Sequence, residues 1–345
     1  MKYFLCFSLT SLIFSLTFSV NLSAWSWSDP AKTTNKKNSI QIQDETHRPY
    51  TNEELSYLRK NLPIGQLHSD PVHGEFSLLS SKCQQNTWTL SLTDPLDGSE
   101  WLLQANLFLP TDATASNKVP AMLMMPPISG TFFLDYQIAI NLCNQHIAVI
   151  SFDPIRPENR KSDDLSLDRY DQTLIRALTP AHWAFEILSN LAVVDSSKIG
   201  AMGMSLGGII ASFYSAYETR IQTLIHVVAG DYLPGILTHT QQRLLTGTRK
   251  ETMDQHSWTD LSQYETALSE AIHHDPYLWS KGLKNKRIMA IISSADTFVP
   301  SQYQYSFVER TSPQSITMVN TSHSVTLFLA PYTHSKAFAD FILNL

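Results

Sequence analysis

Gly203-Met204-Ser205-Leu206-Gly207 is the stretch that decides the fold. A serine lies midway between two glycines, the pattern of a nucleophile elbow. Residues 197–202 before it predict a short strand, and residues 208–214 after it predict the apolar start of a helix. A serine on so tight a strand-to-helix turn is held in strained backbone geometry, its hydroxyl thrust out at the end of the sheet. Small residues two positions to either side let strand and helix approach without a Cβ clash. The same five-residue pattern occurs in glycine-rich turns that do no chemistry. Strand before and helix after are what single out a nucleophile here.

Around this elbow, runs 121–125, 147–152, 199–202, 223–228 and 288–292 are near-continuously apolar, as expected of parallel strands covered on both faces. Helical stretches at 134–144, 179–191 and 206–216 separate them. This alternation predicts an α/β fold with a doubly wound, mostly parallel sheet. Ahead of it, residues 76–79, 87–92 and 101–109 are short β-rich runs parted by turn residues such as Asp97-Gly98. Trp101, Leu103, Ala105, Leu107 and Leu109 share one face, a period of two that suits an antiparallel edge region. Between 230 and 286 the pattern breaks into short helical pieces, with Leu244, Trp258, Leu261, Tyr264, Leu268, Tyr277 and Trp279 among their apolar members. So long a connection without structure of its own would be unusual, and a small helical cap inserted at about 231–286 is expected. Residues 25–71 form a polar N-terminal arm; Thr51-Asn52-Glu53-Glu54 resembles a helix start within it, and Pro63 ends that helix. The main domain then spans 72–345.

The 345 residues allow one large domain or two small ones, and a hydrophobic content of 43% can build a substantial core. A net charge of −6 offers no basic field for nucleic acid. Lys36-Lys37 and Arg249-Lys250 are only small pairs. At the N-terminus, Met1-Lys2 precedes an apolar stretch over 3–20 that serines and threonines interrupt, and Ala24 offers a small-residue cleavage point, although Leu22 at its −3 position is not the preferred small residue. A signal peptide over 1–24 and a periplasmic or secreted location are therefore expected. An uncleaved anchor competes, because the segment is near the minimum bilayer span. The frequent hydroxyls and lone Lys2 favour cleavage; membrane contact is expected only if the segment stays attached. Cys6 lies in that signal, leaving Cys83 and Cys143. In an oxidising compartment a disulfide between them is possible, and two buried thiols fit equally well.

A serine hydroxyl is a poor nucleophile at neutral pH and needs a base, which in turn needs a group to orient it. The expected chain order is Ser, then Asp or Glu, then His. Asp296 follows the buried run 288–292, and His323 sits in a loop between the apolar run 316–319 and the final helical segment. Carboxyl ends of parallel strands gather functional side chains, and all three positions meet that requirement. Asp231, after the preceding strand, is the main rival for the acid. His334 and His226 compete for the base, although His226 lies mid-strand where a satisfied core histidine is expected, and His334 follows Pro331 behind the sheet edge.

Taken together, Leu107-Phe108-Leu109-Pro110, Val119-Pro120-Ala121, Asp195-Ser196-Ser197-Lys198-Ile199-Gly200, the elbow continued to Gly208, and Ala295-Asp296-Thr297-Phe298-Val299-Pro300 resemble the α/β-hydrolase fold. The nearest likeness is to its dienelactone-hydrolase, acetyl-esterase and prolyl-oligopeptidase-like branch. It runs from about residue 75 to the C-terminus and is specific as an ordered set, each motif being weak alone. The resemblance implies Ser205 as nucleophile, His323 as general base and Asp296 as its orienter. One departure stands out. Many members carry a His-Gly pair after the strand at 121–125, where this chain has Pro126-Pro127-Ile128-Ser129-Gly130. Prolines have no N–H to donate, so one oxyanion donor moves to the backbone of Ile128, or of Ser129; Leu206 supplies the other.

The remaining candidates are weak. His273-His274-Asp275 has no third ligand at metal spacing, and adjacent histidines point apart on regular elements. Asp163, Asp164 and Asp168 suit a solvated loop. No phosphate-cradling loop occurs, so neither metal nor nucleotide cofactor is implied. The reading is an exported serine hydrolase acting on a small, partly apolar ester through an acyl-enzyme. A prolyl-oligopeptidase-like peptidase is an alternative, although the polar arm cannot replace the large propeller of those enzymes. A non-catalytic binding protein on a hydrolase scaffold is another, and the intact Ser, Asp and His set argues against it.

Overall fold

The computed structural model describes residues 48–127, 132–152 and 166–344. The N-terminal segment read as a signal peptide, Ile128 to Gly130, and the Asp163-Asp164 pair lie outside them. In chain order the first elements are α1 (Asn52–Asn61), β1 (Val72–His73), β2 (Ser77–Leu78), β3 (Cys83–Thr93), β4 (Glu100–Pro110) and β5 (Val119–Met125). Next come α2 (Phe132–Cys143), β6 (Ala148–Phe152), α3 (Arg169–Asn190), β7 (Val194–Met204), α4 (Leu206–Tyr217) and β8 (Thr223–Val227). The helices α5 (Leu233–His239), α6 (Arg243–Gln255), α7 (Leu261–Ala271) and α8 (Pro276–Trp279) follow as an insertion. The chain closes with β9 (Arg287–Ser293), α9 (Ser301–Thr311), β10 (Ser315–Val319), α10 (His323–Thr333) and α11 (Ser335–Leu343).

These strands make one sheet in the order β1-β3-β4-β6-β5-β7-β8-β9-β10, with β2 also paired to β3. From β6 to β10 every neighbour is parallel, and the β1–β4 end is antiparallel. The apolar runs are continuous because both faces are covered. Along β5, Ala121, Leu123 and Met125 enter a core with α3, α4 and α9, while Met122 and Met124 face α2, α10 and α11. Each fully buried aliphatic side chain of this kind is worth about 1.5–3 kcal/mol. Cys83 opens β3 and Cys143 closes α2. Their Cα atoms stand 5.6 Å apart and the pair is a disulfide, which settles the question the sequence left open.

Helix α3 departs from expectation. The sequence predicts a helix over 179–191, but α3 begins ten residues earlier and carries Pro180 inside it. Residues 169–178 bury Asp171, Leu174, Ile175, Ala177 and Leu178, and that packing outweighs the one backbone bond a proline removes. Asp168, read as a loop acid, stands at the N-cap position of α3.

In the segment before the sheet, Thr51 and Glu54 form a reciprocal capping box at the start of α1. Arg59 of α1 donates to the Ala216 carbonyl at 2.6 Å near the end of α4, and the Tyr50 hydroxyl donates to the His273 carbonyl. The insertion between β8 and β9 is helical throughout most of its length. Arg249 of α6 donates to the carbonyls of Leu237, Thr238 and Thr240, stitching α6 to the end of α5. Among the described residues no helix is long and apolar enough to cross a membrane.

Candidate active site

Ser205 stands between β7 and α4 with φ 55° and ψ −128°, a conformation an L-residue adopts at a cost of about 1–3 kcal/mol. The flanking glycines are sterically required. A Cβ on Gly203 would lie 2.1 Å from the Gly207 carbonyl oxygen, and one on Gly207 would lie 2.3 Å from that of Met125. Strand, turn and helix are thus pressed together at the point where β5 and β7 end. The Ser205 N–H is held by the Val227 carbonyl at 2.9 Å, which locks the turn to β8. Leu206 begins α4, and the first N–H groups of a helix have no partner one turn back. The Leu206 N–H therefore lies in the first turn of α4, directly after the serine.

Beyond the turn, the structure brings three predicted residues into one line. Ser205 Oγ is 3.0 Å from His323 Nε2, and His323 Nδ1 is 2.6 Å from Asp296 Oδ2. Because a carboxylate only accepts, Nδ1–H donates to Asp296 and leaves Nε2 free to accept the serine proton. His323 is the first residue of α10, just past the end of β10, and both it and Asp296 are buried. The Phe298 ring packs 5.4 Å from the imidazole. Asp296 is anchored by its own loop: Oδ1 accepts the N–H of Phe298 at 2.8 Å and of Val299 at 3.0 Å. Oδ2 accepts, besides His323, the Nε2–H of Gln304 at 2.9 Å. Gln304 had no place in the sequence reading. Its signal was a polar residue on the buried face of α9, between Tyr303 and Phe307.

The rivals are engaged elsewhere. Asp231, 1% exposed, accepts from Arg310 Nε at 3.0 Å, and burial pushes its carboxyl up to about 6 despite that charge. His226 is wholly buried in β8, with Nδ1 2.8 Å from Ser212 Oγ and Nε2 2.8 Å from the Ala229 carbonyl. Its ring lies flat on Phe307 at 3.6 Å, and burial lowers it to about 4, so it stays neutral. His334 caps the far end of α10, roughly 16 Å along the helix from His323. His274 faces Asp171 at 2.9 Å, and Asp275 caps α8 by accepting the Tyr277 N–H at 2.7 Å.

Two further features bear on what the site can do. The cap is bonded to the acid loop: Thr240 Oγ1 donates to the Phe298 carbonyl at 2.7 Å, and the Gln241 N–H to that of Thr297 at 2.8 Å. Elsewhere, His182, Glu186 and Glu218 bring one ligating atom each to within 4.8 Å of one another. Arg220 already engages both carboxylates, the Glu218 one at 2.7 Å, and this accounts for the group as an ion-pair network.

Compared with known proteins, no family model and no curated relative matches the sequence. Solved structures do match the fold. An acetyl xylan esterase 1 from a Thermoanaerobacterium species aligns over 89% of this chain and 99% of its own, at 16% identity and a TM-score of 0.60. An acetyl xylan esterase from a Paenibacillus species aligns over 86% and 97%, at 14% identity and 0.61. A hypothetical protein from Pseudomonas aeruginosa aligns over 78% and 96%, at 15% identity and 0.54. The chain therefore has the α/β-hydrolase fold.

Proposed function

We propose that this chain is a serine hydrolase that cleaves carboxylic esters through an acyl-enzyme. The observation that carries the reading is the continuous contact from Asp296 through His323 to Ser205, with the serine strained at the mouth of α4. Ser205 Oγ attacks the ester carbonyl and its proton passes to His323 Nε2. Asp296 stabilises the imidazolium so formed. The oxyanion is met by the Leu206 N–H and, as the sequence suggests, by that of Ile128; each such donor is worth about 3 kcal/mol. Collapse expels the alcohol, which takes the proton from His323. Water then attacks the acyl-enzyme by the same steps in reverse.

Structural neighbours that include two acetyl xylan esterases favour an ester over an amide, and acetylated carbohydrates join short p-nitrophenyl esters as the first substrates to screen. The aromatic and aliphatic composition of the cap suits a partly apolar acyl or alcohol group. A buried disulfide supports export to an oxidising compartment. The test is Ser205→Ala, with esters of rising chain length beside a dipeptide amide. Loss of the nucleophile should remove several orders of magnitude of turnover from a folded protein. It should also abolish labelling by a fluorophosphonate. Retained hydrolysis in the purified variant would end this reading, and faster amide than ester cleavage would turn it into a peptidase.

A further inference from the structure

We propose that Gln304 is a positioning residue of the catalytic acid, holding the Asp296 oxygen that faces His323. The inference rests on the Ser205–His323–Asp296 reading. Gln304 lies on α9 and is fully buried. Its amide is committed at every atom. Oε1 accepts the Ser293 N–H at 2.9 Å, and Nε2 donates to Asp296 Oδ2 at 2.9 Å and to the Val299 carbonyl at 2.7 Å. The amide cannot be turned over, because a flipped group would set NH₂ against the Ser293 N–H and oxygen against two acceptors. The Gln304 donor is therefore fixed on Asp296.

The choice of oxygen gives this bond its consequence. Backbone donors from Phe298 and Val299 both grip Oδ1 and so fix one end of the carboxylate. The other end, Oδ2, is held by Gln304 and His323. Without the Gln304 donor, Oδ2 keeps only His323 as a side-chain partner, and the acceptor that sets the His323 tautomer is less firmly placed. A glutamate at this position keeps the Ser293 N–H satisfied, yet when ionised it opposes Asp296 as a like charge.

The experiment compares Gln304→Leu and Gln304→Glu with the native enzyme, each confirmed folded by thermal melting, across a pH series. Gln304→Leu should lower kcat at least tenfold with KM within about threefold. Gln304→Glu should add a falling alkaline limb absent from the native profile, because the introduced carboxyl donates to Asp296 only while protonated. In the native protein labelled with ¹⁵N-glutamine, one slowly exchanging side-chain amide should shift with the same midpoint as activity. This needs no variant to fold. Ser205→Ala runs alongside. If it retains activity, the hydrolase reading itself falls. If it is inactive while both Gln304 variants keep native kcat and pH profile, or no glutamine amide titrates with activity, Gln304 is packing alone and the inference is overturned.

Discussion

Asp296 and Asp231 both follow a strand of the parallel sheet, and replacing each by asparagine separates two kinds of role. In Asp296→Asn the oxygen of the new amide is held by the two backbone donors of Phe298 and Val299. Its NH₂ then points at His323 Nδ1, where the carboxylate oxygen stood at 2.6 Å. The imidazole must accept there, so its proton moves to Nε2 and no base faces Ser205. The corresponding change in a serine protease lowered turnover about 10⁴-fold, which is roughly 5 kcal/mol of transition-state stabilisation. Asp231→Asn touches none of this. It exchanges an ion pair with Arg310 for a hydrogen bond from the still-charged guanidinium to a neutral amide, and Arg310 remains stacked 3.6 Å over Tyr277. Burial raises the Asp231 carboxyl from 3.8 to about 6, so its ionised form weakens the fold at neutral pH and the asparagine should not cost stability there. Stopped-time ester hydrolysis and thermal melts on both variants give the comparison. Asp296→Asn should lose turnover by several orders of magnitude and also lower Tm, because its NH₂ meets the fixed Gln304 NH₂; Asp231→Asn should keep Tm near or above native and cost tenfold or less in turnover. A larger loss of turnover in Asp231→Asn would refute the assignment of the acid.

Three other perturbations read different parts of the molecule. His323→Ala should abolish turnover while His334→Ala leaves it near native, and the reverse pattern in a steady-state assay would move the base to His334. Asp135 in the first turn of α2 is 7% exposed with Oδ1 unpartnered among the described residues, and burial pushes it up to about 7 from 3.8. The folded state thus binds the proton more tightly, and the penalty is absent near pH 3, grows above pH 4 and is complete above pH 7. Asp135→Asn should therefore raise the unfolding free energy at pH 8 by up to about 4 kcal/mol and leave it unmoved near pH 3; equal gains at both pH values in denaturant titrations would contradict this. Removing the disulfide by replacing Cys83 and Cys143 with alanine frees a loop spanning 60 residues. It should cost about 4 kcal/mol in urea unfolding, and an unchanged midpoint would show that the bridge does not form.

How far the sequence could be read depended on whether a feature was local. Apolar runs mark β5 to β9 because both faces of each are covered, and glycines at 203 and 207 announce the elbow because no Cβ fits there. Asp296 and His323 stood out by following strand ends in the right order. Helix α3 starts ten residues before the predicted stretch, because its first half is fixed by the burial of residues 169–178 against the rest of the domain. The choice between Asp231 and Asp296 was not local at all: it turns on Arg310, 79 positions from Asp231. The disulfide was hidden likewise, because only the packing of β3 against α2 brings Cys83 near Cys143.

Helix α9 shows why some of the site lies beyond any motif. Its buried stripe holds Tyr303, Gln304, Phe307 and Thr311, and hydropathy alone would ask for apolar residues throughout. Tyr303 instead places its hydroxyl 2.8 Å from His239 of the cap, Phe307 stacks on His226 of β8, and Arg310 reaches Asp231. Burying the Gln304 amide unpaired would cost roughly 1–3 kcal/mol, and its three hydrogen bonds offset that. An aliphatic side chain there would take this partner from the Ser293 N–H and the Val299 carbonyl as well as from Asp296. The amide serves the loop backbone and the acid together. The acid loop supplies backbone donors to one oxygen of Asp296, and α9 supplies the donor to the other. Ser205 is aligned with its base only while both ends are held.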